Sequence, residues 1–75
     1  MEFKSKLIEL IGKNIRYIRE NKLLTQTELS KKIMINKNYI SDIERGQRNA
    51  TIYTLERLAK GLGVEVIDFF NTKIS

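Results

Sequence analysis

Between Met34 and Asn49 the chain carries a high density of side chains that can donate or accept hydrogen bonds. The stretch reads MINKNYISDIERGQRN, and its strong apolar residues are Ile35, Ile40 and Ile43. The polar residues between and after these anchors include Asn36, Lys37, Asn38, Ser41, Arg45, Gln47, Arg48 and Asn49. Amides, hydroxyls and cations of this kind can contact base edges or phosphates, but they also cover ordinary solvated helix faces. The stretch by itself leaves both interpretations open.

Composition limits the classes of function. A chain of 75 residues allows one domain with one small core, so we treat residues 1–75 as a single unit. Cysteine and histidine are absent, which removes thiolate metal sites, disulfides and the usual general base. We therefore expect no metal, no cofactor and no enzymatic activity. No apolar run approaches the roughly 18 residues of a membrane span, and no signal-peptide pattern is present, so we expect a cytoplasmic protein.

The charge balance is that of a polyanion binder. Fourteen Lys and Arg against nine Asp and Glu give a net charge of +5 and an isoelectric point near 9.7. Nine of the basic residues and four of the acids fall between positions 13 and 48. Positions 61–75 hold one lysine against two acids. This asymmetry indicates that different surfaces have different roles.

The pattern of apolar residues and helix caps predicts helices throughout. Leu7, Ile11, Ile15 and Ile18 repeat at helical spacing, which predicts a first helix from about residue 4 to residue 21. A Thr25–Glu28 capping box starts a second helix over 26–33.

Three more helices follow by the same rules. Asn36 starts a third helix over 37–45, ended by Gly46, and Thr51 starts a fourth, ended by Gly63. A last short helix covers about 65–71. No strand-like alternation competes, so the fold class is a compact all-α bundle of five helices.

The second and third predicted helices are separated by three residues, Met34 to Asn36. Two helices across so short a turn are typical of a helix-turn-helix unit, whose second helix enters the major groove of DNA. An ordinary αα-hairpin has the same spacing. Geometry leaves both readings open.

Residues 25 to 70, TQTELSKKIMINKNYISDIERGQRNATIYTLERLAKGLGVEVIDFF, resemble the phage Cro and lambda-repressor type of helix-turn-helix domain. The shared features are Thr-Gln at the start of the second helix, YISDIERG, LERLAKGLGV and a closing aromatic pair. With IGKNIRYIREN as the first helix, the resemblance covers residues 11 to 70. It implies a five-helix lambda-repressor-like DNA-binding domain. YISDIERGQRN followed by a short aromatic tail is similar to the controller proteins of restriction–modification operons.

The sequence departs from this family at three loop positions. Met34 stands where the turn usually carries glycine, Leu23 where a helix-ending glycine is common, and Ala50 where proline is frequent. We expect these substitutions to affect loop geometry rather than the surface that contacts DNA.

The resemblance implies roles for the polar stretch. Lys37, Asn38 and Ser41 lie early in the third helix, opposite Ile40 and Ile43, and are the expected base contacts. The expected phosphate contacts are Gln26, Tyr39, Arg48 and Asn49. Weaker candidates for the same electrostatic task are Arg45, Gln47, Lys31 and Lys13. For Gln26 the alternative is an ordinary polar residue at a helix start, and for Tyr39 stacking at the DNA surface stays open. For the other residues the alternative is a solvated surface side chain.

Two further groups complete the prediction. By resemblance Glu44 forms a structural ion pair with Arg19 of the first helix. The C-terminal segment, about residues 64–75, is the expected dimerisation surface because it holds more large apolar side chains than a small core can bury. Its residues are Val66, Ile67, Phe69 and Phe70, of which one phenylalanine is expected to fill the core.

The sequence thus predicts a homodimeric transcription regulator that binds a palindromic double-stranded operator. The controller resemblance implies autoregulation, with repression by blocking RNA polymerase or activation by touching it. One alternative is a phage Cro-like repressor. The other is a protein-interaction module, such as an antitoxin or a co-activator, in which the same fold binds a protein instead of DNA.

Overall fold

The structure is a computed structural model and describes residues 3–72. It contains four α-helices, α1 (Lys6–Asn21), α2 (Gln26–Ile33), α3 (Lys37–Glu44) and α4 (Ile52–Leu62), and a 3₁₀-helix over Val66–Phe70. There is no β-strand among residues 3–72, and no helix in that range is long and apolar enough to cross a membrane.

Side-chain caps define where the helices begin. The backbone N–H of Glu28 donates to the Thr25 hydroxyl (3.0 Å), and the Thr25 N–H donates to the Glu28 carboxylate (2.8 Å), so both halves of the capping box form. The Asn36 side chain accepts from the N–H of Asn38 at the start of α3 (2.7 Å). Helix α1 begins at Lys6, two residues later than predicted, because Ser5 is its N-cap.

The last short helix predicted over 65–71 is confirmed only in part, because it is not an α-helix. The segment is a five-residue 3₁₀-helix, with the Asp68 N–H bonded to the Glu65 carbonyl (3.0 Å). Five residues are too few to offset the nucleation of an α-helix, and the tighter turn satisfies its groups with i to i+3 bonds. The buried amide of Asn14 in α1 donates to the carbonyls of Phe69 (2.7 Å) and Asn71 (2.9 Å). Asn14, which the sequence pattern did not single out, thus fastens this segment to α1.

Two of the sequence departures occupy left-handed backbone. Leu23 has φ 59° and Met34, the C-cap of α2, has φ 57°. Non-glycine residues adopt this region at a cost of roughly 1–2 kcal/mol. Gly46 (φ 74°) and Gly63 (φ 71°) occupy the same region after α3 and α4, as their predicted roles require.

The core lies between α1, the helix pair α2–α3, and α4. Its members are Ile15, Ile18, Leu29, Ile33, Ile35, Ile40, Ile43, Leu55, Leu58, Ala59, Leu62 and Phe69. Helix α1 packs against α3 at closest approach through Gly12, where an added Cβ would lie 2.2 Å from the carbonyl oxygen of Ile43. The absence of a side chain at this position therefore sets the distance between α1 and α3.

Candidate nucleic-acid interface

Helix α3 divides sharply between a buried side and an exposed side. Ile40 and Ile43 are buried in the core, as the spacing predicted. Lys37 and Asn38 are exposed and Ser41 is half-buried, so the structure places the three expected base contacts on the solvent side of the helix. We call Lys37, Asn38 and Ser41 the reading face. Their contact with bases stays a prediction.

A buried ion pair holds α3 against α1. The Arg19 guanidinium donates to both carboxylate oxygens of Glu44, with Nε–Oε2 2.7 Å and Nη2–Oε1 3.0 Å. Both side chains are at least nine-tenths buried. The hydrogen bond with Glu44 raises the pKa of Arg19 above its ordinary value, against the opposing effect of burial. The predicted pair therefore exists as a two-point, charge-assisted contact.

Gln26 joins this ion pair from the start of α2. Its side-chain nitrogen donates to Glu44 Oε1 (2.9 Å), so one carboxylate connects α1, α2 and α3. Nη1 of Arg19 donates to the Leu24 carbonyl (2.7 Å), which ties in the loop before α2. The sequence predicted a phosphate contact for Gln26 but not this hydrogen bond. This hydrogen bond links α2 to α3, the two helices of the helix-turn-helix unit.

The loop after α3 is organised around Asp42, which sequence reasoning passed over. Asp42 accepts a hydrogen bond from Arg45, and its Oδ2 lies 3.7 Å from Nη2 of Arg48. The Arg48 guanidinium carbon also lies 4.9 Å from the ring centroid of Tyr39. The i, i+3 spacing of Tyr39, Asp42 and Arg45 was the available signal, because such residues are neighbours on a helix surface.

An open groove of about 610 Å³ runs between the start of α1 and this loop. Its lining includes Lys4 together with Gln47, Arg48 and Asn49. Arg48 and Asn49, two of the expected phosphate contacts, thus border the same groove. Lys4, which the sequence analysis missed, adds a cation to them.

The remaining weaker candidates are more scattered. Lys13 and Arg45 line a second groove of about 540 Å³ between α1 and α3. Lys31 is exposed near the end of α2. These three cations are exposed and therefore available to a polyanion, with Lys13 and Arg45 in one groove and Lys31 on a different helix.

The predicted dimerisation surface requires one correction. Phe69 is fully buried in the core and has no exposed area to offer a partner, because it fills the space between α1 and the end of α4. Ile67 is 75% exposed, while Val66 and Phe70 are half-buried. The available surface is thus Ile67 with the edges of Val66 and Phe70. Positions 73–75 of the predicted surface lie outside the described residues.

Comparison with known proteins gives a consistent family. A helix-turn-helix family model matches residues 15–69. Control protein C.BamHI of Bacillus amyloliquefaciens is 38% identical over 63 residues, covering 83% of this chain and 78% of that protein. The controller protein C.AhdI from Aeromonas hydrophila superposes with a TM-score of 0.81 at 30% identity, covering 84% of this chain and 96% of that one.

A further relative was solved with DNA. The controller protein C.Esp1396I, crystallised as a tetramer in complex with its natural 35-base-pair operator, superposes with a TM-score of 0.81. The two chains are 42% identical, and the match covers 88% of this chain and 87% of that one. The family match begins in α1 and ends in the 3₁₀-helix, so it takes in the whole helix-turn-helix unit and its packing partners. The chain therefore belongs to the helix-turn-helix family of transcription regulators, and within it is similar to the controller proteins of restriction–modification systems.

Proposed function

We propose that the protein is a sequence-specific transcription regulator that binds a palindromic operator as a homodimer, in the manner of a controller protein. The observation that carries the proposal is the arrangement of α3. Its polar side chains Lys37, Asn38 and Ser41 share the solvent side, while the Arg19–Glu44 pair fixes its other side. A helix presented in this way can enter the major groove without rearrangement of the bundle.

The reading face has the chemistry for direct recognition of bases. Asn38 can pair with N6 and N7 of adenine, Lys37 can donate to O6 and N7 of guanine, and Ser41 can donate or accept. All three lie in the first five residues of α3, which is the part of a recognition helix that approaches base edges. These three residues would therefore carry the sequence preference.

Phosphate contacts would come from the ends of the same unit. Arg48 and Asn49 border the groove beside Lys4, and Tyr39 lies under the Arg48 guanidinium with its hydroxyl available to a phosphate. Helix α2 begins at Gln26, so the backbone N–H groups there have no partner within the helix. The helix dipole favours an anion at this end. Together with the net charge of +5, these groups supply sequence-independent affinity that falls with salt.

A second copy of the chain would cover the exposed side of α4 and the 3₁₀-helix. Ile52, Glu56 and Lys60 lie at helical spacing along the exposed side of α4, and Ile67 follows beyond its end. In an antiparallel pair of α4 helices related by a two-fold axis, Glu56 of each copy would face Lys60 of the other. Ile52 would then approach the Ile67 end of the partner. Such self-complementarity is what an isologous interface needs.

The geometry of the dimer would determine the symmetry and half-site spacing of the operator. Two recognition helices related by the two-fold axis reach half-sites about 34 Å apart, one turn of B-DNA, so the site should be a palindrome. One module alone buries too little surface for high specificity. Depending on where this site lies relative to a promoter, the bound dimer would block RNA polymerase or contact it, including at the regulator's own gene.

The test is selection from random-sequence duplexes at two salt concentrations, with wild type and the Asn38→Ala/Ser41→Ala variant. We expect wild type to enrich a two-fold symmetric site. We expect the variant to lose about 1–3 kcal/mol of discrimination per lost base contact while keeping weak, salt-dependent binding. Asn21→Ala, which removes an exposed amide at the end of α1, is the control and should select the wild-type site. If wild type enriched no sequence, the regulator hypothesis would fail, and the search would turn to a protein partner.

The dimer surface gives a separate prediction. Ile67→Asp should shift the protein from dimer to monomer in sedimentation equilibrium and weaken binding to the full palindrome at least tenfold, because it buries a charge in an apolar contact. Leu23→Asp is the matched control, since Leu23 is 88% exposed in the loop between α1 and α2. That variant should remain dimeric. An Ile67→Asp protein that stays dimeric at the same concentration would place the interface elsewhere.

A further inference from the structure

Helix α3 contains two acidic residues, of which one is buried and the other is partly exposed. Glu44 is buried against Arg19 and faces away from solvent, whereas the Asp42 side chain is 30% exposed. Asp42 lies one turn after Asn38 and next to Ser41 in the chain, so it borders the reading face. Any duplex that brings Asn38 to a base edge would therefore also bring a carboxylate close to the major groove.

The orientation of this carboxylate is fixed by two cations. Arg45 donates to Oδ1, and Nη2 of Arg48 lies 3.7 Å from Oδ2. The Arg48 guanidinium also stacks on Tyr39 at 4.9 Å. Each of the two oxygens is thus engaged, yet a carboxylate has about four acceptor sites, so both oxygens can still accept another hydrogen bond. The arginines offset the negative charge that phosphates would otherwise repel.

A carboxylate at this place discriminates between base edges. It is acceptor-only when ionised, so guanine O6 and N7 or thymine O4 would face it with lone pairs and repel it. The N4 amino group of cytosine donates, and cytosine itself presents no acceptor in the major groove, so the acceptor nearest to N4 is O6 of the paired guanine. The N6 amino group of adenine, in contrast, lies beside N7 of the same base. Among the four bases, cytosine is therefore the one that can donate to Asp42 without an acceptor on its own edge.

We propose that Asp42 is a specificity-determining residue, which accepts a hydrogen bond from a base amino group in the major groove, with cytosine preferred. Arg45 and Arg48 are its positioning residues. The proposal rests on the proposed function, because it requires α3 to enter the groove. Asp42 would add discrimination against bases that present acceptors. The three side chains of the reading face can all donate hydrogen bonds and therefore tolerate such bases.

The test extends the duplex selection to Asp42→Asn and Glu20→Gln. Asparagine keeps the shape of Asp42 but adds donors, so it can satisfy acceptor edges. In wild type we expect a cytosine preference of about tenfold at one position per half-site. In Asp42→Asn this preference should fall below about threefold, with the other positions unchanged. Binding to a scrambled duplex should rise at least about twofold because Arg45 and Arg48 lose their carboxylate partner.

Glu20→Gln is the control for Asp42→Asn. It also removes one negative charge and breaks an exposed ion pair within a helix, here the pair with Arg16 on α1. It should select the wild-type site. The inference is overturned if Asp42→Asn selects the same site with undiminished preference at every position. It is also overturned if preference weakens equally at all positions, because Asp42 would then act only through the placement of α3. A wild type that enriches no site overturns the proposed function and this inference together, so the two failures are distinguishable.

Discussion

Replacing Glu44 by alanine is expected to destabilise the protein by about 3–5 kcal/mol. The substitution leaves the Arg19 guanidinium buried without its carboxylate, and it removes the acceptor of the Gln26 amide as well. Chemical denaturation followed by circular dichroism measures the change. For a 75-residue domain of ordinary stability, a loss of this size leaves a large fraction of the chain unfolded at 37 °C.

Two controls distinguish the cost of leaving the Arg19 charge buried without a partner from the loss of an ordinary ion-pair contact. Glu20→Ala breaks the exposed Arg16–Glu20 pair and should change stability by less than about 1 kcal/mol. The double variant Arg19→Met/Glu44→Leu removes both charges and should recover much of the loss, since apolar residues of similar volume can replace a buried pair. Equal losses in Glu44→Ala and the double variant would contradict this account.

The pH dependence of stability follows from the direction in which the pKa of Arg19 is shifted. The pKa of Arg19 is raised in the folded state, so its stabilising contribution is complete below the ordinary arginine pKa and is lost only at still higher pH. Arg19 should therefore add no pH dependence to the free energy of unfolding between pH 6 and pH 9.

Gly12→Ala is expected to have the second large effect. Alanine is favoured over glycine inside a helix by about 1 kcal/mol, so local propensity predicts stabilisation. The contact with α3 opposes this, because the new Cβ would lie 2.2 Å from the Ile43 carbonyl oxygen and 2.9 Å from that of Glu44. Both obstacles are backbone and cannot rotate away. We expect a net loss at or above the roughly 3 kcal/mol upper end of ordinary overpacking, measured by thermal and chemical denaturation.

Gly63→Ala is the matched control for this substitution. Nothing lies within 4 Å of its added Cβ, so only the strain of φ 71° remains, worth roughly 1–2 kcal/mol. A Gly12→Ala protein as stable as Gly63→Ala would mean that α1 and α3 can separate easily. Glu44 of α3 lies at the same contact, so the substitution should also displace the reading face. A Gly12→Ala protein that still folds should therefore bind DNA more weakly than wild type.

Local signals accounted for most of the fold. The caps at Thr25, Asn36 and Thr51 and the glycines after α3 and α4 were identifiable because capping depends on a few neighbouring residues. The predicted membership in the helix-turn-helix family is confirmed by the match over residues 15–69. The last short helix was predicted, but its 3₁₀ type was not, because five residues are too few to show an α-helical period or to offset the nucleation of an α-helix.

The order of the helices, their core-facing residues and the polar side of α3 could all be predicted from the amino-acid pattern, because they follow from periodicity and from hydrogen bonds between near neighbours. Three features became visible only in the packed structure. Phe69 fills the core, Glu44 accepts a hydrogen bond from the Gln26 amide, and Asp42 stands between Arg45 and Arg48. Each of these depends on where side chains meet after the helices pack, and spacing along one helix does not specify which distant partner arrives.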